Sequence, residues 1–421
     1  MNTVTSQARC PYPLDASGSD IHGEGAALAE RGPATRVILP GLTEKIPAWS
    51  VTEPGLIQRL LTSAHISKDA LLHWPAYRKG QIPESWPLRI WTDVRNALTA
   101  YATEHAHLRR PLAEAFTTRR VRALAPQITQ IAEQLLTELR PDRATGIVDL
   151  RAQYAWKMPL LVANILLGIP AHLHDEFRDV IGHLFSTNRT AEQGAADRAE
   201  IYRLINVLIA YKKKRPGDDV TSFLIDAAQR DELSKPSQLS DSLLLLIGAG
   251  HETTVGLIDH GIVNLLTHRD QLALVTSGTV GWPQVVEETL RHQAPIASIL
   301  LRFAVHDVHD EITQLTFERG DALIVNFAAA GRAPHVHGQD ADAFDLTRTT
   351  SRKHLAFGLG THFCLGAELA RLEGRTALKA VTTRYPHMRL ATDPADLVPL
   401  PSFISNGHQN IPAHLGVPAA A

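Results

Sequence analysis

The chain has 421 residues, of which 44% are hydrophobic and 20% are charged. This is the composition of an ordinary globular protein, and it excludes a largely disordered chain. Lys and Arg number 42 and Asp and Glu 44, so the net charge of −2 excludes a strongly basic protein that binds nucleic acid by general phosphate attraction.

The N-terminal part of the chain contains weak signals for regular structure. Residues 1–33 are rich in Gly, Pro, Ser and Ala, and we predict an extended arm there. Residues 34–421 are predicted to form a single domain. It begins with short β-type runs at residues 36–39 and 49–51, which are separated by Pro and Gly.

Most of the following chain has apolar residues at the spacing of amphipathic helices. Residues 242–268 are apolar on nearly all sides, which predicts a buried central helix about 40 Å long. Residues 296–328 alternate as short strands, and residues 329–363 have the composition of loops. The other predicted helices span residues 56–63, 97–116, 121–139, 154–167, 171–185, 195–214, 220–229, 284–293 and 365–384. The pattern predicts a mainly α fold with a minor β portion.

Cysteine content and hydropathy indicate the compartment. Only Cys10 and Cys364 are present, so a disulfide framework and a zinc site with three or four thiolates are excluded. The first 18 residues have no signal-peptide pattern, and no apolar run approaches the roughly 20 residues that cross a bilayer. We expect a cytoplasmic monomer that contacts neither membrane nor nucleic acid.

The segment from Phe357 to Gly366, with the sequence FGLGTHFCLG, carries the strongest chemical signal. Its three glycines allow tight turns and the close approach of a flat group. Cys364 precedes a predicted helix, whose N-terminal N–H groups favour a thiolate. Such a thiolate could ligate a soft metal or act as a hydrolytic nucleophile, and a buried structural cysteine is the third reading.

This segment resembles the haem-binding loop of the cytochrome P450 family, F-G-x-G-x-H-x-C-x-G, at every fixed position. The resemblance implies the P450 fold, with a long central helix over haem b (iron protoporphyrin IX). It also implies that Cys364 is the axial ligand of the haem iron. Three further motifs of the family lie earlier in the chain in the expected order, so the resemblance covers about residues 30–415.

The sequence AGHETT, residues 249–254, interrupts the apolar central helix. A carboxylate in an apolar stretch is costly unless it is paired or solvated, so Glu252 either has a function or faces outward at a kink. Gly248 and Gly250 each cost about 1 kcal/mol in a helix, and they would open room for a ligand. The Thr253 hydroxyl can bond back to the Ala249 carbonyl.

The same segment resembles the family's oxygen-binding motif, A-G-x-D/E-T-T/S. The resemblance implies that Glu252 and Thr253 are the catalytic acid–alcohol pair. In that pair Thr253 donates a hydrogen bond to dioxygen and Glu252 relays protons from water. Ala249 and Leu245, one and two turns earlier, would line the cavity over the haem.

Two further sets of residues match motifs of the family. Glu288 and Arg291 form an E-x-x-R motif, and we expect a buried ion pair that holds the fold and is joined by Arg348. Haem propionates need basic partners. The resemblance assigns that role to a set of four residues from three segments: His105, Arg109, Arg302 and His362.

The family's variable substrate lid corresponds to residues 65–99, which contain Trp74, Trp86 and Trp91, and core packing of these tryptophans is the alternative. The substrate-pocket candidates are Trp86, Leu245, Ala294, Ala297, Ser298 and Phe403, with Ile296, Ile299 and Ile404 beside them. These walls are mostly apolar, which predicts a lipophilic or aromatic substrate.

The resemblance implies a secondary-metabolism oxidase that activates dioxygen. Electrons would come from NAD(P)H through a ferredoxin reductase and a ferredoxin that docks on a basic surface. The candidate substrates are a tryptophan-containing cyclodipeptide and, alternatively, a steroid or polyketide that is hydroxylated. Radical C–C or C–N coupling without oxygen insertion is a further alternative. A haem protein that only binds a ligand and a haem-free cysteine hydrolase are the remaining hypotheses.

Overall fold

The computed structural model describes residues 10–41, 45–86, 88–182, 190–233 and 235–419. Residues 1–9 of the predicted arm and residues 183–185 of the helix predicted over 171–185 lie outside these ranges. Within them, none of the helices is both long enough and apolar enough to cross a membrane.

Helices account for most of the regular structure. They are α1 Ile21–Glu30, α2 Pro54–Thr62, α3 Ala70–His73, α4 Pro75–Arg78, α5 Ile90–Asp93, α6 Ala102–Ala115, α7 Thr118–Ala123, α8 Ala125–Thr137, α9 Lys157–Leu167, α10 His174–Ile181, α11 Ala191–Lys214, α12 Val220–Gln229, α13 Pro236–Thr267, α14 Arg269–Thr276, α15 Trp282–His292, α16 Phe327–Gly331, α17 Pro334–His337 and α18 Ala367–Arg384.

The strands are short and lie mainly towards the two ends of the chain. They are β1 Tyr12–Pro13, β2 Ala34–Ile38, β3 Pro47–Val51, β4 Ile66–Ser67, β5 Val148–Asp149, β6 Ser298–Ala304, β7 Val308–Asp310, β8 Leu315–Phe317, β9 Ala322–Asn326, β10 Arg389–Leu390 and β11 Pro412–His414. The prediction of a mainly α fold with a minor β portion is therefore confirmed.

The main sheet has the strand order β1-β2-β3-β9-β6-β4, so it joins the N-terminal strands to the strands after α15. β3 runs parallel to β9 with Ser50 opposite Ile324, and β9 runs antiparallel to β6. The register of β6 against β9 shifts between Ile299 and Arg302, which marks a bulge. This bulge affects which side chains of β6 reach the cavity described below.

The N-terminal segment differs from the predicted extended arm. Residues 21–30 form α1, which the Asp20 side chain caps by accepting the Gly23 N–H at 2.8 Å. β1 pairs with β2, so this segment also belongs to the main sheet. Gly23 and Gly25 hid the helix in the sequence, although the run from Ala26 to Ala29 favours one.

The central helix α13 starts earlier than predicted, at Pro236 instead of Ser242. Proline is accepted at the first helical position because its missing N–H has no intrahelical acceptor there. The Gln238 side chain accepts the Lys235 N–H at 3.1 Å and closes this end of the helix. α13 packs against α9, α15 and α18. Its residues Val255, Ile258 and Ile262 lie in the largest apolar core.

A buried ion pair on α15 holds the end of α16 and the loop after α17. Glu288 and Arg291 are one helical turn apart, both have 0% exposed side chains, and their closest atoms are 2.7 Å apart. The Arg291 guanidinium also donates to the carbonyls of Gly331, Ala341 and Ala343, at 2.6–2.9 Å. Arg348 lies 3.4 Å from Glu288. The network therefore fixes the chain that leads into the cysteine loop.

We predict that Arg291→Ala lowers the free energy of unfolding by about 3–5 kcal/mol, because Glu288 would be left as a buried, uncompensated charge. The measurement is urea denaturation followed by circular dichroism. The matched control is Arg178→Ala, because Arg178 also pairs at i,i+3, with Asp175, but its side chain is 45% exposed. That variant should lose less than about 1 kcal/mol. Equal losses in both variants would contradict the assigned role of burial.

Candidate active site

A cavity of about 360 Å³ lies between α13 and the loop that precedes α18. Leu245, Ala249 and Thr253 line it from α13, and Phe357 and Cys364 line it from the loop. Its volume falls in the range of roughly 300–1,000 Å³ that is common for small-molecule sites. The sequence therefore brings its two most informative motifs to opposite walls of one cavity.

The loop around Cys364 is shaped by backbone contacts. The Cys364 N–H donates to the Phe357 carbonyl at 2.9 Å, which closes the loop. Gly360 has φ +74°, and a Cβ there would lie 2.6 Å from the Leu61 carbonyl oxygen. A side chain at position 360 would therefore both strain the backbone and collide with α2.

The electrostatics at Cys364 differ from the expectation that a helix N-terminus favours its thiolate. α18 begins only at Ala367, and burial raises the pKa of the Cys364 thiol. A hydrogen bond from the Gly366 backbone and the charges of Arg109 and Arg371 oppose that effect. Binding of a metal ion to the sulfur would displace the proton outright.

The opposite wall leaves space over the cysteine. The Thr253 hydroxyl donates to the Ala249 carbonyl at 2.7 Å, as the sequence predicts, while α13 continues as an α-helix through this segment. A Cβ added to Gly250 would meet no atom within 4 Å, and the same holds for Gly366 across the cavity. A flat group therefore has room between the two walls.

Glu252 does not line the cavity and instead pairs with an arginine. The Arg151 Nη2 atom donates to Glu252 Oε1 at 2.9 Å, and the two side chains are only 8% and 13% exposed. Burial raises the pKa of Glu252, and the charge of Arg151 opposes that rise. The sequence did not point to Arg151, because it lies 101 residues before Glu252 in a π-helical turn, residues 151–155.

One edge of the cavity is cationic. Arg109 and Arg302 line the cavity together with His362, and the His105 ring lies 4.1 Å from that of His362. The Arg109 guanidinium donates to the Phe363 carbonyl at 2.7 Å, which joins α6 to the cysteine loop. The four residues that the sequence proposed as propionate partners thus meet at one place.

Lys68 is a fifth member of this edge, and none of the matched sequence motifs contains it. Its side chain is buried, and its ammonium group donates to the Leu300 carbonyl at 3.0 Å. Burial and the nearby charge of Arg302 lower the pKa of Lys68 well below its ordinary value. A lysine in a short polar segment gives no signal of its burial.

This edge has unmet polar atoms. His105 Nε2 and Arg302 Nη1 are buried without a hydrogen-bond partner. Burial, followed by the charges of Lys68, His105, Arg302 and Arg109, lowers the pKa of His362 to about 2. Two carboxylates at this edge would supply the missing acceptors and the missing negative charge. The residues present therefore fit a haem, whose two propionates would lie here.

The substrate-wall candidates are only partly placed on the cavity. Leu245 lines it, and so do four neighbours of the other candidates: Trp91, Ile296, Ile299 and Ile404. Trp86, Ala294, Ala297, Ser298 and Phe403 do not line it, and all of them are buried in the surrounding core. Trp86 packs against Trp74 and donates to the Pro40 carbonyl at 2.9 Å.

Strand geometry explains why Ile299 lines the cavity and the neighbouring Ser298 does not. Successive side chains of a strand point to opposite faces, so Ile299 faces the cavity when Ser298 faces away. Regular alternation would also turn Arg302 away from the face of Ile299. The bulge between Ile299 and Arg302 restores Arg302 to the cavity. The sequence alone gives no signal for the position of that bulge.

A scan against protein-family models matches residues 282–401 to the model described as Cytochrome P450. Among curated proteins, the chain is 37% identical to 2-hydroxy-5-methyl-1-naphthoate 7-hydroxylase of Streptomyces carzinostaticus, over 98% of this chain and 99% of that protein.

Solved structures give the same result. CYP154A1 from Streptomyces coelicolor A3(2) superposes with a TM-score of 0.88 and 45% identity, over 96% of this chain and all of that one. CxnD, a cytochrome P450 enzyme for C–S bond formation in chuangxinmycin biosynthesis, superposes with a TM-score of 0.86 and 29% identity, over 98% of each chain.

Two glycines of α13 should respond oppositely to alanine. Gly250→Ala meets no atom and gains helix propensity, so it should raise the free energy of unfolding by up to about 1 kcal/mol. Gly261→Ala would bring its methyl group to 2.5 Å from Leu378, and this overpacking, about 1–3 kcal/mol, should exceed that gain. Urea denaturation of the two variants measures both effects. A loss of stability in Gly250→Ala equal to that in Gly261→Ala would show that the space at Gly250 is absent.

Proposed function

The chain belongs to the cytochrome P450 family of haem-dependent monooxygenases, and from this premise we propose that it hydroxylates a lipophilic natural product with fused rings. One observation carries the proposal. Cys364 faces Ala249 and Thr253 across an apolar cavity that has a cationic edge.

Haem b supplies the oxidising chemistry by activating dioxygen after reduction. We assign Cys364 as its thiolate ligand. Four residues are assigned to the propionates by their unmet polar atoms or their place at the cationic edge: His105, Arg109, Arg302 and His362. Lys68 joins them as an additional buried cation. The Arg109 bond to the Phe363 carbonyl then ties a propionate partner directly to the cysteine loop.

Thr253 and Glu252 are assigned to proton transfer, with one change to the role that the resemblance implies for Thr253. Because the Thr253 hydroxyl donates its hydrogen to Ala249, it presents only lone pairs to the cavity. In this conformation Thr253 accepts a hydrogen bond, and it orients a water or a protonated oxygen beside it. Glu252 lies behind the cavity wall and accepts a hydrogen bond from Arg151. In this role it takes up protons and passes them on without touching the substrate.

The substrate class follows from the polarity of the cavity. Trp91, Ile296, Ile299 and Ile404 give it an apolar wall, so the shape of the substrate should decide which atom is oxidised. Among its polar residues, Asn96 is already engaged, since its amide donates to the Asp241 carbonyl and accepts the Leu98 N–H. The naphthoate hydroxylase supports a fused aromatic ring. A tryptophan-containing cyclodipeptide and a steroid remain candidates of the same character.

Bond formation without oxygen insertion is the second candidate function. It is favoured by the likeness to CxnD, an enzyme for C–S bond formation. The same cavity would then hold two reacting groups of one substrate, or two substrates, side by side. The isotope experiment below separates this function from hydroxylation.

We further propose that electrons arrive from NAD(P)H through a ferredoxin reductase and an acidic ferredoxin. Phe363 is 40% exposed next to Cys364, and the exposed arginines Arg119, Arg120 and Arg122 lie on α7. Arg371 on α18 is already paired with Glu287 and Glu368. The α7 arginines therefore carry more of the proposed attraction.

Cys364→Ser should abolish the thiolate signature of the haem. The reduced, carbon-monoxide-bound wild type should absorb at the wavelength that gives the family its name, and the variant should not. Cys10→Ser is the matched control, because Cys10 is exposed and does not belong to the loop, and it should leave that spectrum unchanged. A Cys364→Ser protein with the wild-type spectrum would contradict the assignment.

Turnover under ¹⁸O-labelled dioxygen should place label in the product. The substrates are a panel of hydroxynaphthoates, steroids and tryptophan-containing cyclodipeptides, selected first by their shift of the haem absorption. We expect fused-ring compounds to cause the shift and mass spectrometry to find one labelled oxygen. A cyclised or cross-linked product without label would show that the enzyme catalyses bond formation and not hydroxylation. A shift with small polar compounds alone would overturn both functions.

A further inference from the structure

Behind the cavity, four ionisable side chains form a continuous chain from Glu252 towards the surface. Arg151 donates to Glu252 at 2.9 Å and to Asp259 at 2.8 Å through its two terminal nitrogens. Asp259 Oδ1 lies 2.5 Å from His408 Nδ1. We name these four residues the Glu252–His408 chain.

The helix geometry explains why one arginine reaches two carboxylates. Glu252 and Asp259 are seven residues apart on α13, which places them on one face two turns apart. The guanidinium is a planar fork with several donors and can bond both. Gly407 allows this approach, since a Cβ there would lie 3.3 Å from Arg151 Nη1.

The chain is most buried in its middle and slightly exposed at its two ends. Asp259 has a 0% exposed side chain, Arg151 and Glu252 have 8% and 13%, and His408 has 15%. Burial raises the pKa of Asp259, but the His408 hydrogen bond and the surrounding positive charges outweigh it and hold that pKa at about 2. Asp259 is therefore a fixed anion between two groups that can bind it.

The other charged and titratable groups around the chain are few and identifiable. His260 on α13 has its ring 5.0 Å from that of His408, and burial lowers the pKa of His260 to about 3, so it is neutral. His22 on α1 lies near His260, and burial lowers its pKa to about 4. Asp149 on β5 accepts the Ile411 N–H and the Arg151 N–H, both at 3.0 Å.

Asp259, His260 and His408 also have the donor types of a metal site, with ligand atoms within 4.8 Å of one another. The Arg151 guanidinium on Asp259 argues against a cation there, because a fixed positive charge already occupies one of its oxygens. The arrangement fits a chain of coupled protonation better than a metal centre.

We propose that His408, acting through Asp259 and Arg151, is a positioning residue that sets how readily Glu252 takes up and releases a proton. This inference rests on the proposed role of Glu252 in proton transfer. When His408 is neutral, Asp259 relies on Arg151 for its counter-charge, and Glu252 holds a proton more tightly. When His408 is protonated, it shares Asp259, and Arg151 is freer to stabilise the Glu252 carboxylate.

The coupling must be reciprocal, which gives a test that needs no substrate. Replacing Glu252 by Gln removes an anion from the chain, so protonated His408 becomes less favourable. We expect the titration midpoint of His408 to fall by at least about 0.5 pH unit, a threefold loss of proton affinity. The measurement is ¹H–¹⁵N NMR of histidine-labelled holoenzyme in its reduced, carbon-monoxide-bound form, with His408→Asn to assign the signal.

Glu200→Gln is the matched control for that titration. Glu200 also pairs with an arginine, Arg203, but at an exposed site on α11. It should leave the His408 midpoint unchanged. An unchanged midpoint in Glu252→Gln would overturn the coupling, whatever the protein's substrate proves to be.

Two substitutions should move the pH profile of turnover in opposite directions. His408→Asn leaves Asp259 dependent on Arg151 at every pH, so the acid-side midpoint of product formed per NAD(P)H consumed should move to higher pH. Asp259→Asn removes the competing carboxylate, so the charge of Arg151 acts on Glu252 alone and stabilises its carboxylate. That midpoint should therefore move to lower pH. A structural role would lower stability without these opposite shifts.

The two experiments separate the two ideas. Coupling by NMR with an unmoved pH profile in His408→Asn would overturn the positioning role and leave the proposed function intact. Absence of any oxidised product would overturn the proposed function, and the NMR result would still decide whether the chain is coupled. His408→Asn alone decides the profile if Asp259→Asn does not fold.

Discussion

The rest of the site depends on the buried ion pair between the Arg291 guanidinium and Glu288. A charge with no exposed surface is tolerable only when its donors are all met. Arg291 meets them with Glu288, with the carbonyl at the end of α16 and with two carbonyls of the loop after α17. Those carbonyls belong to the chain that runs into the cysteine loop. The position of Cys364 thus depends on an ion pair that makes no contact with it.

The cavity combines two environments that require different ligand chemistry. Its cationic edge, with His105, Arg302 and buried Lys68, is stable only when anionic acceptors complete it. Its remaining walls, which include Ile296 and Ile299, favour the burial of apolar ligand surface. A flat cofactor with two carboxylates on one side and a lipophilic substrate above it satisfies both environments, which neither group would do alone.

Residues could be predicted where the chemistry is local and were missed where it is not. The Thr253–Ala249 bond and the Glu288–Arg291 pair each span one helical turn, so spacing reveals them. The partner of Glu252 is 101 residues away, and no pattern connects the two. Of the wall proposed at residues 294–299, Ile296 and Ile299 line the cavity, whereas Ala294, Ala297 and Ser298 do not, because the local course of the backbone, which the sequence does not reveal, decides which side chains face the cavity. Trp86 was misassigned because an indole is equally suited to core and pocket.

The separation of the two walls is set by glycines, on α13 and α18, that meet each other's leucines. A Cβ on Gly261 would lie 2.5 Å from Leu378, and one on Gly374 would lie 2.7 Å from Leu257. The two helices therefore approach more closely than any side chain at those positions would allow. α13 carries Ala249 and Thr253, and α18 follows directly after Cys364. This reciprocal contact fixes the gap in which the haem is proposed to lie. Leu257 itself lines the cavity, and Gly261 lies about one turn further along α13, where its partner Leu378 belongs to the apolar core. Gly250 and Gly366 differ from these two glycines, because no neighbouring side chain fills the space beside them and that space stays open.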